Sequence, residues 1–269
     1  MKRILFTSDP HCGHLVGLTP PSWQISADRP HAEKFAAVER ACWTWFSKKI
    51  NALRPFHVHA CLGDIVDGTG LRSGGSELIV VDRNQQVEIA LEVFDFIRAP
   101  VNIVCKGTPY HTGPVEEMET TLEMSLRDRP WCKVVKTGDH EWMDVNGVVF
   151  DLKHHIGGSQ IPHGRWTALA RDETWNAIWA ESGAAPRSDY LLRGHVHYLV
   201  EGHRYVGNRR RTFSTCPALQ GLGTRFGKKK CSGTVDYGFM WCDIDDKGAV
   251  QWHEEIMPVT AQRATALVV

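Results

Sequence analysis

Residues 3–11 read RILFTSDPH, and this stretch decides the fold class. The apolar run of residues 3–7 predicts a buried strand, because short apolar runs that end in polar residues are typical of such strands. Ser8 and Asp9 follow the run at once, and His11 lies two positions further on. The stretch therefore predicts a buried strand that ends directly in metal-ligating types of side chain.

The same arrangement repeats along the chain. Further buried strands are predicted at 56–62, 101–105, 148–152 and 190–193, and helical spacing of apolar residues covers 32–53, 87–97, 115–126 and 166–179. Beyond His197 the pattern favours strands, near 198–206, 211–216, 236–244 and 248–257. Alternating strands and helices predict an α/β fold with a largely parallel sheet, and the β-rich tail predicts a second sheet.

Length and composition narrow the class of protein. A chain of 269 residues without a Ser-, Pro- or Gly-rich linker favours one domain over residues 1–269. A net charge of zero indicates neither a nucleic-acid nor a membrane partner, and no window approaches the roughly 20 apolar residues of a membrane span. The eight cysteines form no CxxC pair, which favours reduced thiols and a cytoplasmic location over a disulfide framework.

The first five predicted strands each end in residues that can bind a metal or in a polar turn with glycine. These ends are Asp9-Pro10-His11, Gly63-Asp64 with Asp67, Gly107-Thr108-Pro109-Tyr110-His111, His154-His155 and Gly194-His195-Val196-His197. In open α/β sheets ligands sit outside the carboxyl ends of the strands, so these distant residues are expected to converge. Carboxylate and imidazole ligands without thiolate suit Mn, Fe or Zn. Two such cations about 4 Å apart would need a bridging carboxylate.

The motif set resembles that of the calcineurin-like metallophosphoesterase family. The matching segments are SDPHCGH (8–14), GDIVDG (63–68), KGTPYH (106–111), KHH (153–155) and GHVH (194–197), which correspond to the family pattern DxH, GDxxDxG, GNHD/E, a later His and GHxH. The second motif is slightly altered, because Gly68 stands one position earlier than the last glycine of GDxxDxG. The resemblance covers residues 1 to about 220. It implies two packed mixed β-sheets flanked by helices, in a four-layer sandwich, and hydrolysis of a phosphate ester by a metal-activated water.

The resemblance also implies which residues hold the two divalent metal ions, which would be Mn, Fe, Zn or Mg, with Mn the first choice for reconstitution in vitro. Asp9, His11 and His197 would bind the first ion, His154 and His195 the second, and Asp64 would bridge both. His155 is an alternative to His154. Asp67 matches a family position that supports the ligands rather than binding the metal.

The third motif departs from the family pattern, because Gly107 is followed by Thr108-Pro109-Tyr110-His111 instead of Asn-His. Thr108 takes the place of the Asn ligand if Gly107 is the anchor. Alternatively, a two-residue insertion lets His111 reach the second metal or a substrate oxygen. The favoured expectation is that His111 is catalytic, protonating the leaving group or contacting the phosphoryl oxygens, next to Asp64.

The expected partner is a phosphate-ester substrate, with no membrane partner, and the sequence sets neither the substrate nor the oligomeric state. Nucleic acid is an alternative substrate, which the basic runs 209–211 and 228–230 would favour if they flanked the metal crevice, although such runs are usually solvated turns. The alternative outside catalysis is a metal-poor binding scaffold. Further expectations place His14 on a surface loop and most tryptophans in the core, and they name His163, Arg165, Lys106 and Arg72 as candidate substrate contacts.

Overall fold

The computed structural model describes residues 1–25, 33–71, 73–112, 117–159, 161–221 and 235–258. The described helices are α1 (Glu33–Leu53), α2 (Arg83–Ile97), α3 (Pro109–Thr112), α4 (Glu117–Arg127) and α5 (Arg165–Glu181). The described strands are β1 (Lys2–Thr7), β2 (Val58–Cys61), β3 (Val101–Cys105), β4 (Val134–Gly138), β5 (His140–Val145), β6 (Val148–Lys153), β7 (Tyr190–Arg193), β8 (Val200–Val206), β9 (Arg209–Thr215), β10 (Gly238–Ile244) and β11 (Val250–Ile256).

The first sheet has the strand order β11-β10-β1-β2-β3-β4. Strands β1 to β4 run parallel, whereas β10 and β11 complete the sheet in antiparallel pairing. In the parallel part Thr7 pairs with Cys61, and Cys61 pairs with Val104, so the carboxyl ends of β1, β2 and β3 lie side by side. The polar turns that follow these three strands therefore meet at one edge of the sheet.

The second sheet has the order β5-β6-β7-β9-β8. Its strands β6, β7 and β9 are parallel, and β5 and β8 are antiparallel to their neighbours. Lys153 pairs with Arg193 at the ends of β6 and β7. This register brings His154, directly after β6, and His195, two residues after β7, to a common edge.

Alternating side chains on the strands create three apolar layers. Leu5 of β1 packs against the helices α1 and α2, whereas Phe6 on the opposite face packs between the two sheets, 5.3 Å from the ring of Phe150. Helix α5 covers the outer face of the second sheet through Leu169, which packs with Leu191 and Phe213. Each of these buried side chains contributes roughly 1.5–3 kcal/mol of hydrophobic stabilisation. The result is a helix–sheet–sheet–helix sandwich, which confirms the predicted α/β class with two mixed sheets.

Some sequence expectations about the elements were wrong. The β-rich tail does not form a sheet of its own: β8 and β9 join β7, whereas β10 and β11 extend the sheet of β1. Strands β4 and β5 were not predicted. Trp166, Trp175 and Trp179 of α5 are exposed rather than in the core. Trp175 and Trp179 stack on each other, 5.8 Å apart, away from the buried Leu169, and Trp166 lies against Gly202 of the edge strand β8, where 46% of it stays exposed.

Two further findings concern the chain as a whole. No helix within the described ranges is long and apolar enough to cross a bilayer. The described cysteines are all free thiols, and most of them are buried in the apolar layers. A buried reduced thiol behaves as a small apolar group, which agrees with the packing of Cys61 and Cys105 inside their strands.

Candidate metal centre

The strand ends of both sheets converge on one cluster of carboxylates and imidazoles. Three groups of side chains each have ligand atoms within 4.8 Å of one another: Asp9, His11 and His197; His11, Asp64 and His111; and Asp64, His154 and His195. Because His11 and Asp64 each belong to two groups, the three groups form one continuous centre. The structure thus brings together all six predicted ligands, and it adds His111 to them.

Asp64 lies in the middle of this centre and is only 1% exposed. Its Oδ1 accepts hydrogen bonds from the backbone N–H of Thr108 at 2.7 Å and from the Thr108 hydroxyl at 3.2 Å. Its Oδ2 lies 3.1 Å from Nε2 of His154 and 4.0 Å from Nε2 of both His11 and His111. The Thr108 hydroxyl also lies 3.4 Å from Oδ2. The turn after β3 therefore holds the Asp64 carboxylate mainly through Oδ1, and Oδ2 faces the imidazoles.

Glycine is required where the turn after β3 approaches Asp64. A Cβ atom on Gly107 would lie 2.2 Å from Oδ1 of Asp64 and 2.5 Å from its backbone nitrogen. Any larger residue would push the turn away and break the two bonds from Thr108. Close packing against Asp64 therefore explains why the KGTPYH segment has a glycine at position 107.

Asp9 and the GHVH segment form the other side of the centre. The backbone N–H of His195 donates to Oδ2 of Asp9 at 3.0 Å, and Nε2 of His197 lies 3.2 Å from Oδ1 of Asp9. The Nε2 atoms of His11 and His197 are 3.3 Å apart. The turn after β7 is thus held against the turn after β1, which links the two sheets at the candidate site.

His154, and not His155, enters the centre. His154 is 1% exposed, and its Nδ1 donates to the carbonyl oxygen of Leu62 at 2.5 Å, which directs Nε2 towards Asp64. His155 points outwards, is exposed, and its ring lies beside that of His195 at 4.9 Å. The geometry therefore favours His154 over the alternative.

Asp67 supports two imidazoles at once. Its Oδ1 accepts a 2.9 Å hydrogen bond from Nδ1 of His11, and its backbone carbonyl accepts a 2.9 Å hydrogen bond from Nδ1 of His111. Asp67 contributes no atom to the three ligand groups. This agrees with the expectation that Asp67 supports the ligands, since imidazole ligands commonly donate their second N–H to a carboxylate or carbonyl.

The electrostatics of the centre are those of buried anions. Burial opposes the ionisation of Asp9, but His197 and His11 outweigh it and hold the pKa of that carboxyl well below its usual range. Burial likewise opposes the ionisation of Asp64, and His154 nevertheless lowers its pKa. In return, although burial disfavours the charged imidazole, the attraction of Asp64 raises the pKa of His154 to about 9. The cluster therefore has a negative potential that stabilises a cation.

The donor set fits a metal ion on an independent geometric ground. In the described part of the chain, Oδ1 of Asp9, Nε2 of His154 and Nδ1 of His195 are buried without a hydrogen-bond partner. Oδ1 of Asp9 lacks one although Nε2 of His197 is only 3.2 Å away. Unpaired buried polar atoms are costly and rare. Close donor atoms that face a common centre without bonding each other are the arrangement expected of metal ligands.

Backbone conformation sets these residues apart from the rest of the chain. Among the described non-glycine residues, positive φ angles occur at Asp9 (51°), His11 (42°), Asp64 (49°), His195 (73°) and His197 (56°), and otherwise at Arg98 and Asn146. Such conformations cost of order 1–3 kcal/mol each and cluster at functional sites. Five of the six predicted ligands thus sit on strained turns that the surrounding sheets hold in place.

The structure also gives the positions of His14 and of the described candidate substrate contacts. The expectation for His14 was wrong: it is buried, and its Nδ1 accepts a hydrogen bond from the backbone N–H of Val16. Lys106 lies 3.7 Å from Asp139, and the guanidinium of Arg165 stacks over the ring of Tyr198 at 4.1 Å. His163 is exposed in the turn before α5. Arg72 lies outside the described residues.

Three supporting residues were not identified from the sequence. The Ser8 hydroxyl donates to Oδ2 of Asp9, and the amide of Gln86 bonds both the N–H and the carbonyl of Gly68. Glu119 of α4 accepts a 3.1 Å hydrogen bond from the N–H of Gly107, and burial raises its pKa to about 8. Gln86 and Glu119 come from helices whose periodicity predicts their position but not their contact with distant turns.

The class that the fold and the centre define is that of proteins with a four-layer sandwich and an Asp/His centre between its sheets. The chain resembles the calcineurin-like metallophosphoesterases in both respects, since the motif segments named above supply this centre. No protein-family model matches the sequence, and no curated protein matches it.

Solved structures similar to this chain share little sequence with it. A Vps29 from Entamoeba histolytica, crystallised with Zn²⁺, is 16% identical with a TM-score of 0.41, over 94% of this chain and 98% of that one. An archaeal phosphodiesterase is 12% identical with a TM-score of 0.45, over 95% and 99% of the two chains. The sulfate thiohydrolase SoxB from Thermus thermophilus is 12% identical with a TM-score of 0.39, over 96% of this chain and 56% of that one.

Proposed function

We propose that this protein is a metal-dependent phosphoesterase that hydrolyses phosphate esters, either diesters or monoesters. The observation that carries the proposal is the convergence of Asp9, Asp64, His154 and His197 from separate strand ends on one buried centre. Three donor atoms of that centre have no hydrogen-bond partner among the described residues, and these support a cation there.

The residues divide naturally between two cations. Asp9, His11 and His197 would hold the first, His154 and His195 the second, and Asp64 would be shared. Two divalent ions about 4 Å apart would lower the pKa of a water molecule and neutralise charge on the phosphoryl oxygens. The donors are oxygen and imidazole nitrogen without thiolate, which suits Mn, Fe or Zn, and Mg less well.

The chain's own contribution is to fix its donors in advance. Thr108 orients Asp64, Asp67 orients His11, and the N–H of His195 orients Asp9. The carbonyl of Leu62 likewise sets the ring of His154. Because hydrogen bonds hold four of the six predicted ligands, little reorganisation of those four would be needed when a cation or a phosphate group arrives.

The basic run 209–211 does not support the nuclease alternative, because it does not flank the candidate metal centre. Strand β9 runs parallel to β7, so Arg209 and Arg210 at its start lie at the end of the sheet remote from His195. The expectation that this basic run is a solvated turn was wrong for Arg211, which is buried beside Glu173. The second basic run, 228–230, lies outside the described residues. A metal-poor scaffold is disfavoured because every predicted ligand except the family Asn is present.

The proposal is tested by removing metal with a chelator and restoring Mn²⁺, Zn²⁺, Fe²⁺ or Mg²⁺ separately. Hydrolysis would then be measured with p-nitrophenyl phosphate, bis-p-nitrophenyl phosphate, a cyclic nucleotide and single-stranded DNA. We expect turnover of at least one ester that disappears on chelation and returns with Mn²⁺. Activity on DNA with a steep loss on added salt would instead favour the nuclease. Absence of turnover with every metal and every ester would refute the proposal.

A further inference from the structure

Three imidazoles of the centre are held in the same way. His11, His154 and His111 each donate Nδ1–H to a protein acceptor, at 2.9, 2.5 and 2.9 Å, and each turns Nε2 towards Oδ2 of Asp64. Two of these residues are predicted metal ligands. His111 therefore has the hydrogen bonding of a ligand, although it comes from the segment that departs from the expected motif.

The acceptor of His111 defines its tautomer. A backbone carbonyl oxygen can only accept a hydrogen bond, so the carbonyl of Asp67 requires the hydrogen on Nδ1. The neutral ring then has its lone pair on Nε2. This is the arrangement in which a second hydrogen bond orients an imidazole ligand towards a metal.

The position of Nε2 of His111 fits the same role. It lies 4.0 Å from Oδ2 of Asp64, as does Nε2 of His11, and the rings of His11 and His111 meet edge to face at 4.5 Å. Donor atoms about 2.1 Å from one metal are roughly 3–4 Å from each other. The ligand atoms of His11, Asp64 and His111 would need to move only slightly closer together to meet this condition. They form one of the three groups described above.

We infer that His111 is a metal ligand next to His11 and Asp64, and not the residue that protonates the leaving group. The inference rests on the proposed function, because it assumes a cation at Asp64. With His111 as a ligand, the two halves of the centre have different numbers of donors. The half at Asp9 and His11 gains a donor, whereas the half at His154 and His195 does not.

Two substitutions separate the ring nitrogens of His111. His111→Asn can keep a donor near the position of Nδ1 and removes Nε2, whereas His111→Gln places an amide oxygen near the position of Nε2. His203→Asn is the matched control, because His203 is exposed on β8 outside the three ligand groups. Far-ultraviolet circular dichroism of each chelated protein identifies variants that fold like the wild type.

Binding of Zn²⁺ to the chelated proteins would be followed by isothermal titration calorimetry, and bound metal counted by mass spectrometry. We expect His111→Asn to lose one ion or to bind one at least 100-fold more weakly, His111→Gln to lose less, and His203→Asn to match the wild type. Wild-type metal affinity in both His111 variants, with a kcat that falls most for leaving groups of high pKa, would overturn the inference in favour of an acid.

The same experiment separates this inference from the proposed function. A wild-type protein that binds no metal would overturn both. A wild-type protein that binds metal but hydrolyses no phosphate ester would refute the proposed function alone, and a loss of Zn²⁺ in His111→Asn would still support the ligand role.

Discussion

The N–H of Thr108 donates a 2.7 Å hydrogen bond to Oδ1 of Asp64, and the hydroxyl of the same residue lies 3.2 Å from that oxygen. The same hydroxyl also lies 3.4 Å from Oδ2 of Asp64, the oxygen that faces the imidazoles of His11, His111 and His154. The segment that departs from the family motif therefore still acts on the centre. Thr108 orients the shared carboxylate through hydrogen bonds.

Replacing Thr108 with Val removes the hydroxyl donor and keeps the backbone one. A hydrogen bond to a charged acceptor contributes about 1.5–3 kcal/mol, and this longer bond should contribute about 1 kcal/mol. We expect Thr108→Val to weaken Mn²⁺ binding by about fivefold in calorimetric titrations. Thr108→Ser, which keeps the hydroxyl, should bind like the wild type. Equal affinity in the Val and Ser variants would show that the hydroxyl does not orient Asp64.

Asp67 should matter for metal affinity although it is not itself a ligand. Asp67→Ala removes the acceptor of Nδ1 of His11 and leaves the backbone carbonyl that holds His111. Loss of such a partner typically weakens metal binding by about 10–100-fold. We expect this loss in Zn²⁺ titrations of Asp67→Ala, with partial recovery in Asp67→Asn, which can still accept the hydrogen bond. A variant with unchanged Zn²⁺ affinity would contradict the assigned role.

Beneath His154 and His195, a buried ion pair joins the strands that present them. Arg193 of β7 contacts Oδ1 of Asp151 on β6 at 2.7 Å and Oδ2 of Asp172 on α5 at 2.9 Å. Arg193→Met would leave the Asp151 charge buried with fewer partners, which typically costs about 3–5 kcal/mol. We expect a loss of this size in the free energy of unfolding by urea.

The control for that prediction is Arg209→Met. Arg209 is 71% exposed and lies 3.6 Å from Asp189, so its ion pair is screened by solvent. Its substitution should change the free energy of unfolding by no more than about 0.5 kcal/mol. If the two substitutions destabilised the protein equally, the buried ion pair of Arg193 would contribute no more to the free energy of unfolding than an exposed one.

A pair of carboxyl groups at the open edge of the sandwich predicts a pH dependence of stability. Partial burial, together with the adjacent Glu254, raises the pKa of Glu201 to about 7 from an ordinary value of 4.5. The folded protein therefore holds this proton more tightly than the unfolded chain. Stability from this group is complete below pH 4.5 and is lost as the pH rises through about 7.

Glu201→Gln tests this linkage, because the amide cannot ionise. We expect its urea midpoint to fall less than that of the wild type between pH 5 and pH 8. The difference in stability between Glu201→Gln and the wild type should therefore shift in favour of the variant from pH 5 to pH 8. Parallel pH profiles for the two proteins would mean that Glu201 titrates normally in the folded state.

The convergence of the predicted ligands could be anticipated from the sequence because these residues follow buried strands. Parallel strands align their carboxyl ends, so Asp9 and Asp64 after neighbouring strands had to lie close together. The preference for His154 over His155 came from the resemblance, in which the family ligand directly follows its strand, and the structure places His154 against Asp64. The two-sheet α/β class followed from alternating periodicities.

Other features depend on contacts that a sequence pattern does not contain. The positive φ angles at His195 and His197 are set by turns held between two sheets. Strand β10 pairs with β1 from the opposite end of the chain, so its strand pattern could not reveal which sheet it joins. Strand β4 lacks a buried side chain, which removes the apolar alternation that would have predicted it. The role of Thr108 depends on a hydrogen bond across two strand ends.

The central claim is that carboxylates and imidazoles from both sheets hold cations around Asp64. Anomalous diffraction from crystals equilibrated with Mn²⁺, recorded for the wild type and for Asp64→Asn, tests it most directly. We expect two anomalous peaks in the wild type, one beside Asp9, His11 and His197 and one beside His154 and His195. In Asp64→Asn these peaks should be weakened or missing. A wild-type map without a peak within bonding distance of Asp64 would contradict a cation centre at this carboxylate.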